Sequence, residues 1–114
     1  MAVFVELETL KERVYADDTT VYDTRLATIL DNAEKAIITM TDYDTADVLR
    51  IPVADFPAEL KEAIVQLAAA WFAQPEATAP VQYRPVPFGV AFLVKPYQRL
   101  AGGGRLESLI PDPE

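Results

Sequence analysis

All nine prolines of this chain stand at position 52 or later, so residues 1–51 are free to be helical. Proline lacks the backbone N–H and clashes with the preceding turn, so it confines helices to the stretches between its occurrences. In the proline-free half, "VELETLKERVY" places Val5, Leu7, Leu10 and Val14 along one stripe, which predicts a short helix over about residues 6–14. "ADDTT" reads as a loop, and Thr20 followed by Asp23 resembles a capping box. "VYDTRLATILDNAEKAIITM" is the clearest helix: Leu26, Ile29, Leu30, Ala33, Ala36, Ile37 and Met40 recur at helical spacing. "TDYDTADVLRIPVADF" breaks the period and reads as a short extended segment or a loop packed by its own side chains.

In the second half the prolines act as punctuation. Pro57 suits a first helical position, and Leu60, Ile64, Leu67, Ala68 and Trp71 then follow on one face until Pro75 marks the helix end. "ATAPVQYRPVP" is a proline-rich loop, long for a compact domain. A last short helix is expected over 88–95 in "PFGVAFLVKPY", closed by Pro96, with Phe88 and Phe92 anchoring it on the Trp71–Phe72 end of its predecessor. The fold class that follows is all-α: a small bundle of about three to four helices, with the long loop before the last one. The domain spans 1–100, and 101–114, with three successive glycines and two prolines, reads as a flexible tail.

At 114 residues, 51% apolar and 25% charged, the chain suits one soluble domain with a modest core. No run of about eighteen uncharged apolar residues is present, so no membrane span is expected. The N-terminus carries acid by Glu6 and lacks the basic start of a signal peptide. Cysteine is absent, which makes an intracellular compartment the default. Histidine is absent too, and this excludes histidine-activated serine or cysteine nucleophiles and zinc sites of imidazole or thiolate.

The net charge of −8 opposes general nucleic-acid binding, which depends on neutralising phosphates. Its distribution is bipolar. Residues 1–47 hold eleven acids against Lys11, Arg13, Arg25 and Lys35, whereas 77–106 hold Arg84, Lys95, Arg99 and Arg105 and no acid. That is either solvated surface or a head-to-tail contact between copies, a geometry that closes into rings where the rotation allows.

Several motifs have simpler readings than chemistry. "DYDTAD" brings Asp42, Asp44 and Asp47 together, but Asp47 stands where a calcium loop of the EF-hand type needs glycine. A polar loop is the better reading, and a carboxylate metal enzyme is the weakest alternative. Asp17 and Asp18 have no evident acid or base partner, and "GGG" at 102–104 lacks the Lys-Ser/Thr of a phosphate loop. Trp71, Phe72, Phe88 and Phe92 are either core or shared with a neighbour, since aromatics concentrate at interface centres.

The order of these pieces is informative. An acid-rich "YADDTTVYD", a helix ending "AEKAIITMT", then "FPAELKEAIVQLAAAWF" and "VPFGVAFLVKPYQRL" together resemble the phage head–tail connector family of QLRG-type DNA-packaging, head-completion adaptors, over roughly residues 5–100. The chain departs from that pattern in "WFAQPEA" and in the proline content of 77–87.

The resemblance implies a non-enzymatic structural adaptor, without cofactor or metal, that forms a homo-oligomeric ring of about twelvefold order beneath the portal. Its implied partners are further copies of itself, the portal protein and a tail-side stopper or completion protein. DNA would pass through without sequence-specific reading, and no membrane is involved. The implied location is the host cytoplasm during assembly and then the virion. The candidate interface residues are Trp71, Phe72, Tyr83, Arg84, Phe88, Phe92, Lys95, Tyr97 and Arg99. The alternative reading is a small acidic regulatory binder, of antitoxin or DNA-mimic type, that neutralises a basic partner.

Overall fold

A computed structural model describes residues 2–15, 18–73, 88–98, 106 and 109–110. Among these it contains five α-helices and no strand: α1 (Leu7–Arg13), α2 (Asp23–Met40), α3 (Thr45–Val48), α4 (Ala58–Ala73) and α5 (Phe88–Val94). The all-α expectation therefore holds. The proline-rich loop before the last helix, and Pro75 as a helix end, lie outside the described residues.

The two long helices form the centre. On α2, Leu26, Ile29, Leu30, Ala33, Ile37 and Ile38 are buried, while Asp31 and Lys35 pair at 3.2 Å one turn apart on its outer side. On α4, Leu60, Ala63, Ile64, Leu67, Ala68 and Trp71 are buried. The fully buried alanines 33, 63 and 68 carry little bulk and let the two helix backbones approach closely. α5 packs along α4, and α1 lies against both α2 and α4.

The Thr20–Asp23 capping box does not form. Tyr22 precedes the first turn of α2 and offers no side-chain cap, while Asp23 lies inside the helix and faces Lys11. The "VLRIPV" region is not a strand but a loop that runs from the end of α3 at Val48 through turns to a 3-10 turn, as the loop reading expected. Asp44 accepts a 2.9 Å hydrogen bond from the Ala46 N–H, which starts α3, and a 3-10 turn follows at Val53–Asp55. Val48, Ile51 and Phe56 from this stretch enter the core. Pro57 sits one residue before α4, where its carbonyl accepts the N–H groups of Leu60 and Lys61 at 3.1 Å. α2 ends through Thr41 and a left-handed Asp42 (φ 66°), a conformation aspartate tolerates. Tyr15 (φ 61°) does the same after α1, and the residue is 90% exposed.

Three polar clips hold the N-terminal part. The buried Glu34 carboxylate accepts the Val3 N–H at 2.9 Å and the Phe4 N–H at 2.8 Å, and Phe4 stacks on Phe56 with centroids 3.8 Å apart. Lys11, itself buried, places Nζ 2.9 Å from Asp23 Oδ1. That oxygen is buried without a well-aligned hydrogen bond, so Lys11 serves it as a counter-ion. Arg13 grips Glu62 with two parallel bonds of 2.9 Å.

The Arg13 hydrogen bond holds the Glu62 carboxyl below its ordinary value; partial burial opposes it, and Gln66 Nε2, 3.0 Å away, assists. A carboxylate with a depressed folded pKa contributes stability that is complete above its unfolded value and is lost as pH falls through the folded one. Both partners are over a third exposed, so the pair is worth about 0.5 kcal/mol. Glu62→Gln is expected to lower stability by about that much at neutral pH, and by nothing once pH lies below the carboxylate range. Urea titrations at the two pH values check this; an equal loss at both would show that the charge contributes nothing.

Of the segment expected to be a tail, only Leu106, Leu109 and Ile110 are described. Leu106 is fully buried and the other two pack on the core.

Candidate functional site

α5 is apolar all round, "FGVAFLV", so its rotation is set by what it meets. Val90, Val94 and Tyr97, at i, i+4 and i+7, turn inward; Val90 and Val94 are fully buried. The 3-10 turn Lys95–Tyr97 continues the helix, and Tyr97 Oη donates to Glu59 Oε1 at 2.8 Å. Gln98 Nε2 donates to the Met40 carbonyl at 3.0 Å. These bonds tie the end of α5 to the start of α4 and the end of α2.

The outward face of α5 consists of Gly89, Ala91, Phe92 and Lys95, all exposed, and Phe92 shows 60% of its surface. Val90 and Val94 are thus the fully buried residues of this helix, while Phe92, which was expected to anchor it, keeps most of its surface exposed. Phe88 opens α5, and its side chain lies outside the described residues.

Trp71 is 4% exposed and belongs to the core. Phe72, next to it, is half-buried. Tyr22 meets its ring edge-on with centroids 5.5 Å apart, and the Arg25 guanidinium lies 4.8 Å from its centroid. Arg25 Nη2 also donates to the Phe72 carbonyl at 3.4 Å, placing a cation at the negative end of α4. Tyr83, Arg84 and Arg99 lie outside the described residues.

Among the described candidates, Phe72 and Tyr97 lie at opposite ends of α4. Phe72 stands at the C-terminal end of α4, whereas Tyr97 is bonded to Glu59 at its beginning. At 1.5 Å rise per residue those two places are about 20 Å apart along the helix.

A groove of about 650 Å³ lies on another flank of α4, between that helix and the N-terminal segment, lined by Val3, Val5, Glu6, Val53, Lys61 and Val65 among others. Tyr22, Arg25 and this groove were not foreseen from sequence. Each depends on residues tens of positions apart, and no local period signals such a contact.

Among the described residues no three acidic side chains gather as metal ligands. Asp44 caps α3 and Asp47 lies 3.5 Å from Arg50, so two of the three acids of "DYDTAD" already have structural partners. No helix among the described residues is long and apolar enough to cross a membrane.

The family of the phage gp6-like head-tail connector protein matches residues 4–101, from the Glu34 clip through α5. The chain belongs to this connector family. Membership makes it a structural adaptor of a phage particle, with its place at the junction of head and tail. The head–tail connector match ends just after the α5 region, so every helix described above is part of the connector fold. Neither the curated proteins nor the solved structures searched contain a match to this connector chain.

Proposed function

We propose that this chain is a ring-forming, non-enzymatic adaptor that sits beneath the portal of a packaged phage head, offers a platform to a tail-side completion protein, and lets DNA pass through its centre. The observation that carries the reading is the connector-family match over the whole helical body. The bipolar charge supports it: a head-to-tail ring brings the acidic part of one copy to the basic part of the next. A net charge of −8 also suits a conduit that repels DNA rather than binding it.

Native mass spectrometry of the chain with its cognate portal protein tests the proposal. The expected result is a closed oligomer bound to the portal, weakening as salt rises because the complementary charges are screened. A chain that stays monomeric and never binds the portal would sink it. A monomer seen without the portal is compatible with the proposal, since the platform itself can nucleate the ring.

A further inference from the structure

We propose that the connection between α1 and α2 of one copy, led by Tyr15, docks on the Lys95 end of a second copy, with Asp18 meeting Lys95. This rests on the ring reading above and names its contact. Tyr15 directly follows Val14, the C-cap of α1, at the place where a left-handed residue closes a helix and glycine is the usual occupant. A tyrosine held there at φ 61° carries backbone strain that glycine would not. The residue is 90% exposed, so it gains almost no burial within its own chain. Val21, close to the start of α2, is 79% exposed and adds a second uncovered apolar side chain to this connection.

Charge selects the partner. Glu12 and Asp18 flank Tyr15 on either side and both are exposed. Two such connections would repel each other, which excludes a like-with-like contact and calls for a cation. Among the described residues, Lys11, Arg13, Lys35 and Arg50 have carboxylate partners, Arg25 lies on Phe72, and Lys61 shares its groove with Glu6 and Glu62. Lys95, exposed, is the described cation that remains, and it belongs to the part of the chain, 77–106, that carries no acid. The same end of the bundle offers apolar surface in the exposed Pro96 and in Leu49, 39% exposed, on the connection from α2 to α4.

One chain cannot make this contact with itself. Tyr22 meets Phe72 at the C-terminal end of α4, so the α1–α2 connection lies where α2 begins. Tyr97 and Gln98 are bonded to Glu59 and Met40, which puts Lys95 where α2 ends and α4 begins. The two places are about 25 Å apart along α2. Each copy therefore carries an acidic, aromatic tip at one end and a cationic end opposite it. Their pairing is heterologous, the type that repeats from copy to copy until a ring closes.

The absence of cysteine makes the contact directly readable. Tyr15→Cys carrying a benzophenone label is mixed with an isotopically labelled parent chain and the cognate portal protein, irradiated, and its cross-linked peptides are mapped. The expected links join residue 15 of one copy to residues 49–50 or 91–98 of another. Links to the portal alone, links elsewhere, or none in a sample whose native mass shows a ring would overturn this contact and leave the adaptor reading standing. Absence of any ring, with and without portal, would overturn both.

Tyr15→Gly separates docking from a role in the fold. Glycine suits the left-handed backbone, so the melting temperature of the isolated chain should not fall, while assembly weakens about tenfold. A lower melting temperature would assign Tyr15 to its own chain, and unchanged assembly would leave it without a contact; either overturns the proposal. The charge pair has its own test. Lys95→Glu is expected to weaken assembly about tenfold, and Asp18→Lys in the same chain to restore it. Both positions are exposed, so circular dichroism should show an unchanged fold. Failure of the second substitution to rescue the first would overturn the Asp18–Lys95 pairing.

Discussion

Replacing Trp71 by alanine is expected to lower the unfolding free energy by about 4 kcal/mol, and the melting temperature by roughly 10–20 °C. The side chain is 4% exposed near the end of α4, within the cluster that also holds the buried faces of α2 and α5. Truncation removes a large buried ring and leaves a cavity that the rigid helices on either side cannot close. Phe72→Ala is the informative companion. That ring is half-buried and engaged by Tyr22 and Arg25, so its loss should cost about 2 kcal/mol. Urea unfolding followed by circular dichroism measures both. As the one tryptophan of the chain, Trp71 should also emit at short wavelength in the unassembled protein. A loss below about 1 kcal/mol for Trp71→Ala would contradict its place in the core and return it to the surface between copies.

Glu34→Ala is expected to cost about 3 kcal/mol. The substitution leaves the Val3 and Phe4 N–H groups without their acceptor, and the Phe4 bond is buried. An orphaned buried donor costs about 1–3 kcal/mol, whereas the partly exposed Val3 N–H can recover water. Part of the loss is offset, because alanine removes a carboxylate that folding had to desolvate. Release of this clip also frees Phe4 from its stack on Phe56. Glu34→Gln keeps one acceptor oxygen and turns an amide N–H₂ toward backbone donors, so it should fall between alanine and the parent. Amide exchange at Phe4 reports the clip directly. Unchanged protection of Phe4 in Glu34→Ala would show that the carboxylate does not hold the N-terminal segment.

The central helices were legible because their apolar residues keep a helical period. Leu26, Ile29, Leu30, Ala33 and Ile37 were read as one face of α2, and all are buried. α5 was legible as a helix but not in its rotation. In "FGVAFLV" no polar residue marks the outside, so ring size pointed to Phe92, whereas Val90 and Val94 are the residues that are fully buried. The Tyr97–Glu59 bond and the packing on α4 decide between them. Thr20 carried a local capping signal that lost to a tertiary one, since Asp23 is drawn to the buried ammonium of Lys11. The groove beside α4 was not legible at all, because Val3, Val53 and Val65 become neighbours only when α4 and the N-terminal segment meet.

Sequence alone determined the helical class, the order of the four longer helices, the lack of thiol and imidazole chemistry, and the opposition of an acidic first part to a basic later one. These properties reside in composition and in spacings of a few residues, where backbone sterics and helical periodicity act. Tertiary structure alone decided which side of α5 faces outward, which carboxylate holds the N-terminal segment, and how α1 is fastened. The bonds responsible join residues 31, 49 and 58 positions apart: Val3 to Glu34, Arg13 to Glu62, and Gln98 to Met40. Contacts at such separations depend on the packing of whole helices, which no local signal encodes.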